Sequence, residues 1–223
     1  MFFVFLEKWR RPVLLQLFTI YLRYLIGSAF LIAAVAMGKL SGGGPLLSAT
    51  GQSLCDLQPI QQFFRVMADS GLYWKFIGWT QIFAGFLLIT QRYARAGALI
   101  FFGMILNIFV ITISYDFKGT PVVTGLMLLA TLYLLLWDAE SLQYIFRRPG
   151  VAPTSSPNHD TIHQDPFWSL LGICLIICIA LTMWLKISPL MVMISALFIG
   201  MAGLPVFFFA WKKIRDRHTG QMI

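Results

Sequence analysis

The sequence predicts an all-α integral membrane protein: a four-helix transmembrane bundle followed by two further transmembrane helices, six in total. Three observations predict it. Six apolar runs recur at lengths suited to a bilayer, charged residues make up only 12% of the chain, and most basic residues sit between the runs. A soluble domain carries about a quarter charged residues. With 58% hydrophobic residues over 223 positions, an aqueous fold lacks the polar side chains to cover its surface, whereas in a bilayer the outside of a helix is as apolar as its core.

The runs extend approximately from Leu14 to Met37, Leu72 to Thr90, Ala96 to Ile113, Pro121 to Trp137, Phe167 to Leu185, and Leu190 to Trp211. About twenty residues of helix cross about 30 Å of hydrocarbon. The fourth run is the shortest, and Gly200, Gly203 and Pro205 interrupt the sixth. An N-terminal signal peptide is a poorer reading of Lys8, Arg10 and Arg11 before the first run, because that run is too long for a signal core and contains Arg23.

Orientation follows from Lys and Arg in the connecting segments. With the N-terminus inside, Lys8, Arg10, Arg11, Arg92, Arg95, Arg147, Arg148, Lys212, Lys213, Arg215 and Arg217 are cytoplasmic, and Lys39, Arg65, Lys75, Lys118 and Lys186 are external. Both termini are therefore expected in the cytoplasm of a bacterial cell, with the chain multi-pass in the inner (plasma) membrane.

The chain divides at its polar breaks. Residues 1–148 hold four runs, with an external loop at 41–71 that closes on an amphipathic stretch, Pro59 to Met67, expected to form a short helix on the membrane surface or over the bundle. Residues 149–166, rich in Pro, Ser, Thr and Asp, read as a flexible cytoplasmic linker. Residues 167–223 form a transmembrane hairpin with a basic tail.

Several function classes are disfavoured. The net charge of +8 is distributed between apolar runs rather than along one stripe, so nucleic acid is not an expected partner. Cys55, Cys174 and Cys178 form no CxxC and no zinc spacing. His159, Asp160, His163 and Asp165 are read as a solvated linker, so no metal site is expected. No serine, cysteine or carboxylate lies in a nucleophile, metal or phosphate motif, which points away from autonomous catalysis.

Polar residues inside the runs turn inward and mark candidate sites. Gly78, Gln81, Gly85 and Arg92 recur on one face of the second run, Gly103, Asn107 and Ser114 on the third, and Thr124, Thr131 and Asp138 at intervals of seven on the fourth. Gln81, Asn107 and Thr131 each lie about 13 to 16 Å from the end of their span and are expected to meet near the midplane, with Arg23 at similar depth. They serve either as interhelical hydrogen bonds, at about 0.6 kcal/mol each, or as a polar pocket for a lipid, quinone headgroup or small solute. Lys39, Asp116 and Lys118, with Asp69, are candidates for an external mouth.

Residues 14–138 resemble the DoxX-like superfamily of small polytopic membrane proteins. The resemblance rests on Arg23-x-x-x-Gly27-x-x-Phe30 leading to Gly38-Lys39, on Gln81-x-x-x-Gly85-x-x-Leu88 with Arg92 and Arg95, and on Gly97-Ala98. Where that family often carries a carboxylate in the second helix, this chain has Gln81. Some members of the family act with quinones or thiosulfate, and others associate with thiol-redox or detoxifying enzymes. The family's fold does not fix the function; the expected function is that of an accessory subunit or assembly factor that binds another membrane protein or complex, with the external loop and the appended hairpin as contact surface. A quinone-binding oxidoreductase component and a lipid or small-solute carrier are the alternatives. No cofactor motif is evident; quinone and lipid are the candidate ligands.

Overall fold

The computed structural model describes residues 13–40, 57–139 and 166–185, together with Ser188, Met191, Ile194, Ser195, Phe198, Ile199 and residues 201–205. Expectations for the basic N-terminus, Cys55, the glycine-rich start of the long loop, the linker with its His and Asp residues and the basic tail lie outside the described residues.

Among the described residues the secondary structure is helical. The elements are α1 (Val13–Ala36), α2 (Pro59–Asp69), α3 (Leu72–Ile89), α4 (Ala94–Ser114), α5 (Thr120–Trp137) and α6 (Pro166–Trp184). All but α2 are long and apolar enough to cross a membrane. Met191, Ile194, Ser195, Phe198, Ile199 and residues 201–205 are also helical. In α5, Val122, Val123, Leu126, Leu129, Leu132 and Leu136 are exposed while Thr124, Thr131 and Leu134 are buried, an inverted polarity that a bilayer stabilises and water does not.

α1, α3, α4 and α5 alternate in direction and form a ring, with α1 against α3, α3 against α4, α4 against α5, and α5 closing on α1. One core lies within this ring, around Ile26, Phe30, Leu88, Phe101, Ile105 and Leu134. A second forms where α6 enters the groove between α1 and α3, around Leu17, Ile20, Tyr24, Ile89, Trp168 and Leu175. We call the end at which α1 and α6 begin the first end, and the opposite end the second.

Glycines set the closest approaches. A Cβ at Gly85 would lie 2.8 Å from the Gly27 carbonyl oxygen, and one at Gly27 would lie 2.9 Å from the Gly85 oxygen. α1 and α3 therefore touch backbone to backbone, which in lipid replaces the missing hydrophobic drive with dispersion contact. Gly172 brings α6 closer still to the Ile89 carbonyl. Tyr24 donates its hydroxyl to the Trp168 carbonyl and Ser169 donates to Thr90 O at 2.9 Å, so the start of α6 is fastened to α1 and to the end of α3.

The amphipathic stretch before α3 is a helix, as its pattern predicts. Pro59 occupies its first turn, where the missing N–H costs nothing, and the Gln58 backbone N–H donates to Gln61 Oε1 at 3.1 Å. Phe63 packs on Tyr115 with ring centroids 5.4 Å apart, which lays α2 over the second end of the ring.

Gly85→Leu is expected to disrupt the bundle, because a side chain there meets backbone. The overpacking cost is about 1 to 3 kcal/mol or more. A lower thermal midpoint in detergent checks this, with Gly103→Leu as the contrast, since a Cβ at Gly103 meets nothing within 4 Å.

Candidate functional site

The polar residues separate into two centres at different depths. The first is built on Arg23, ten residues into α1 and 2% exposed. Its Nη2 pairs with Asp138 Oδ2 at 2.8 Å and its Nη1 donates to Gln91 Oε1 at 3.0 Å. Gln91 follows α3 with a left-handed backbone, φ 61°, a strained state for a residue other than glycine. That conformation turns its side chain onto the guanidinium, and its amide also donates to Ile20 O at 3.4 Å. Close by, the Thr19 and Tyr133 hydroxyls share a hydrogen bond of 3.1 Å, joining α1 to α5.

Arg23 is thus level with the ends of α3 and α5, and it does not meet Gln81, Asn107 and Thr131 at the midplane. The reason is length. α1 has 24 residues against 18 in α3 and 18 in α5, so a position ten residues in, about 15 Å along, comes level with their first-end termini. Asp138 and Gln91 hold two of its nitrogens there, while its buried Nε has no hydrogen-bond partner among the described residues.

The second centre is built on Lys39. α1 ends in a Schellman motif: Gly38 has φ 62°, its N–H donates to Val35 O at 2.9 Å, and the Lys39 N–H donates to Ala34 O at 3.1 Å. The residue after the left-handed glycine usually folds an apolar side chain back on the helix. Here that residue is a lysine, 5% exposed. Gly78 leaves it room, since a Cβ there would lie 2.7 Å from Lys39 Cβ. Lys39 Nζ donates to Gln81 Oε1 at 2.8 Å and lies 5.2 Å from the centroid of the Trp74 ring. Burial pushes the ammonium down to about 8. No carboxylate pairs with it among the described residues.

Lys39 and Gln81 stand on the wall of a cavity of about 780 Å³ inside the ring. Ala29, Phe30 and Ala33 of α1 line it, as do Ile77 of α3, Gly103 and Asn107 of α4, and Thr124 and Met127 of α5, while Ile60, Phe64 and Met67 of α2 roof it. Small residues on α1 and α4 leave the space open. Of the four residues expected to share a pocket, Gln81 and Asn107 border this cavity. Thr131 is fully buried and donates to Met127 O at 2.6 Å, within its own helix. Of the three expected at a mouth, Lys39 lies deeper, level with the middle of α3, while Asp116 and Lys118 are exposed on the turn between α4 and α5. Asp69, also exposed, pairs loosely with Arg65 at 3.8 Å.

Spacing by sevens puts Asp138 on the inward face of its helix but does not join it to Arg23, and nothing in the pattern singles out Gln91. The available signal was a carboxylate seven residues beyond Thr131 at the end of an apolar run. No group of three potential metal ligands occurs among the described residues.

Removing one partner from the Arg23 centre leaves a buried charge uncompensated, at a cost of about 3 to 5 kcal/mol. Asp138→Ala is expected to lower the thermal midpoint sharply, and adding Arg23→Met to Asp138→Leu is expected to restore most of it. Thermal melts of both variants check this.

A scan against protein-family models and a search of the solved structures return no match. Among curated proteins, a Bacillus subtilis (strain 168) protein described as uncharacterized protein YwoB is 35% identical over 82 residues, which are 37% of this chain and 53% of that protein. The chain spans about half the length of the relative it matches, and the likeness brings no activity with it.

Proposed function

We propose that this protein is a six-crossing bacterial inner-membrane protein of DoxX-like type, with both termini cytoplasmic, that binds one amphiphilic molecule, a lipid or a quinone, between its first four helices. The observation that carries the reading is the cavity of about 780 Å³, apolar over most of its wall, with Lys39 and Gln81 as a concentrated polar feature. Binding sites for small molecules have volumes of about 300 to 1,000 Å³ and combine apolar walls with a few placed polar groups. A molecule with one polar head and a long apolar tail matches that arrangement better than a small polar solute, which would leave most of the wall unsatisfied.

The function proposed is binding. A role as accessory subunit of a larger membrane complex is part of the same proposal, with the bound amphiphile held for a partner.

The test is purification in a gentle neutral detergent, followed by mass spectrometry of extracted lipids and of copurifying proteins. Wild type is expected to retain an amphiphile near one per chain, and Gly103→Leu, which fills the cavity from α4, is expected to lose at least about four-fifths of it. Leucine also favours helix over glycine by close to 1 kcal/mol, so the loss is not unfolding. Equal lipid content in the two proteins would overturn the reading.

A further inference from the structure

Lys39 is an unusual side chain to find where it is. Its backbone is fixed by the Schellman motif that ends α1, and Gly78 is shaped to receive it. It therefore enters the bundle by construction, not by rotation of a flexible chain. Inside, the ammonium has three hydrogens to donate, and among the described residues it has one hydrogen bond, to Gln81 Oε1, and one aromatic face, Trp74. A buried charge without a partner of opposite sign is costly, and such groups inside membrane bundles mark ligand pathways. The Arg23 centre, with its own carboxylate, is the contrast within the same molecule.

On the reading that the cavity holds an amphiphile, we infer that Lys39 selects one with a single tail and an anionic oxyanion headgroup. The headgroup completes the ammonium's coordination beside Gln81, and the tail runs along the apolar wall toward Gly103 and Met127. One tail is specified because the volume is that of one small-molecule ligand. An anion is specified because Lys39 supplies donors and positive charge, whereas a cationic headgroup would meet like charge in a low dielectric and a neutral one would leave the ammonium unpaired.

Arg65, on α2, is the other basic residue on the cavity wall, and it pairs with exposed Asp69; Tyr73 is the other titratable group there. Lys75 on α3 and Asp116 and Lys118 beyond α4 are exposed and do not line the cavity.

The experiment uses the full chain in neutral detergent and three probes with the same sixteen-carbon tail: hexadecanesulfonate, hexadecanol and hexadecyltrimethylammonium. The sulfonate stays ionised throughout, so only protein groups titrate. Binding is followed by native mass spectrometry and by displacement of a fluorescent fatty alcohol. Wild type is expected to bind the sulfonate about tenfold or more tighter than the alcohol, equivalent to 1.4 kcal/mol or more, and the ammonium probe weakest. Lys39→Met is expected to abolish the preference while still binding the alcohol. Lys39→Arg and Arg65→Gln are expected to keep it. In wild type the preference is expected to fall between about pH 7 and about pH 9.5, because burial lowers Lys39 to about 8 from its ordinary value of about 10.4. This arm needs no variant to fold. Equal binding of sulfonate and alcohol by wild type, or a preference that persists in Lys39→Met, overturns the inference and leaves the amphiphile reading standing. Binding of none of the three probes overturns the amphiphile reading itself.

Discussion

α1 and α3 meet backbone to backbone at Gly27 and Gly85, and that contact governs the geometry of everything around it. In a bilayer, lipid tails compete for apolar side chains on equal terms, so helices associate where their surfaces allow unusually close packing. The crossing lies between Arg23 of α1 and Lys39 just past its end. On one side it brings Arg23 level with Gln91 and Asp138, and on the other it presents Lys39 to Gly78, Gln81 and Trp74. A charge on α1 and one on the turn that ends it thus reach different fates through one shared contact.

The fates differ because the partners differ. Arg23 presents two of its nitrogens to a carboxylate and an amide contributed by neighbouring helix ends, and the pair ties α1 to α5 while Gln91 ties in α3. Such a centre is structural in its logic: its charge is paired with a carboxylate, and it closes the ring at the first end. Lys39 has an amide oxygen and a ring face, and it opens on a cavity. The same fold holds an ion pair on α1 and, among the described residues, an unpaired ammonium just past its end, beyond the left-handed turn at Gly38.

The cavity owes its existence to what the helices lack. Ala29, Ala33 and Gly103 withhold side-chain volume from the ring, and α2 roofs the space with Ile60, Phe64 and Met67. Below it, Phe30 and Phe101 pack at 4.1 Å between centroids and Leu88 and Leu134 fill the first-end half of the ring. The bundle is therefore solid toward the first end and open toward the second. α6, fastened through Trp168, Ser169 and Gly172, braces the solid half and contributes nothing to the cavity wall.

Much of this was legible in the sequence. Apolar runs, scarce charge and basic residues between runs determine a helical membrane protein, because only closed backbone hydrogen bonding survives in lipid. The inward faces of α3 and α5 and the amphipathic helix before α3 follow from local pattern in the same way. What the sequence left undecided is which inward polar residues meet. Periodicity assigns a face but not a height relative to neighbouring helices, and height depends on unequal helix lengths and on where two glycines allow the axes to cross. So the expected cluster of Arg23, Gln81, Asn107 and Thr131 resolves into an Arg23–Asp138 pair at one end, a Lys39–Gln81 pair on the wall of a cavity that Asn107 also borders, and Thr131 bonded within its own helix. Local chemistry determined the elements, their solvent and their faces; only tertiary packing decided the partners, because hydrogen bonds and ion pairs need matching depth as well as matching faces.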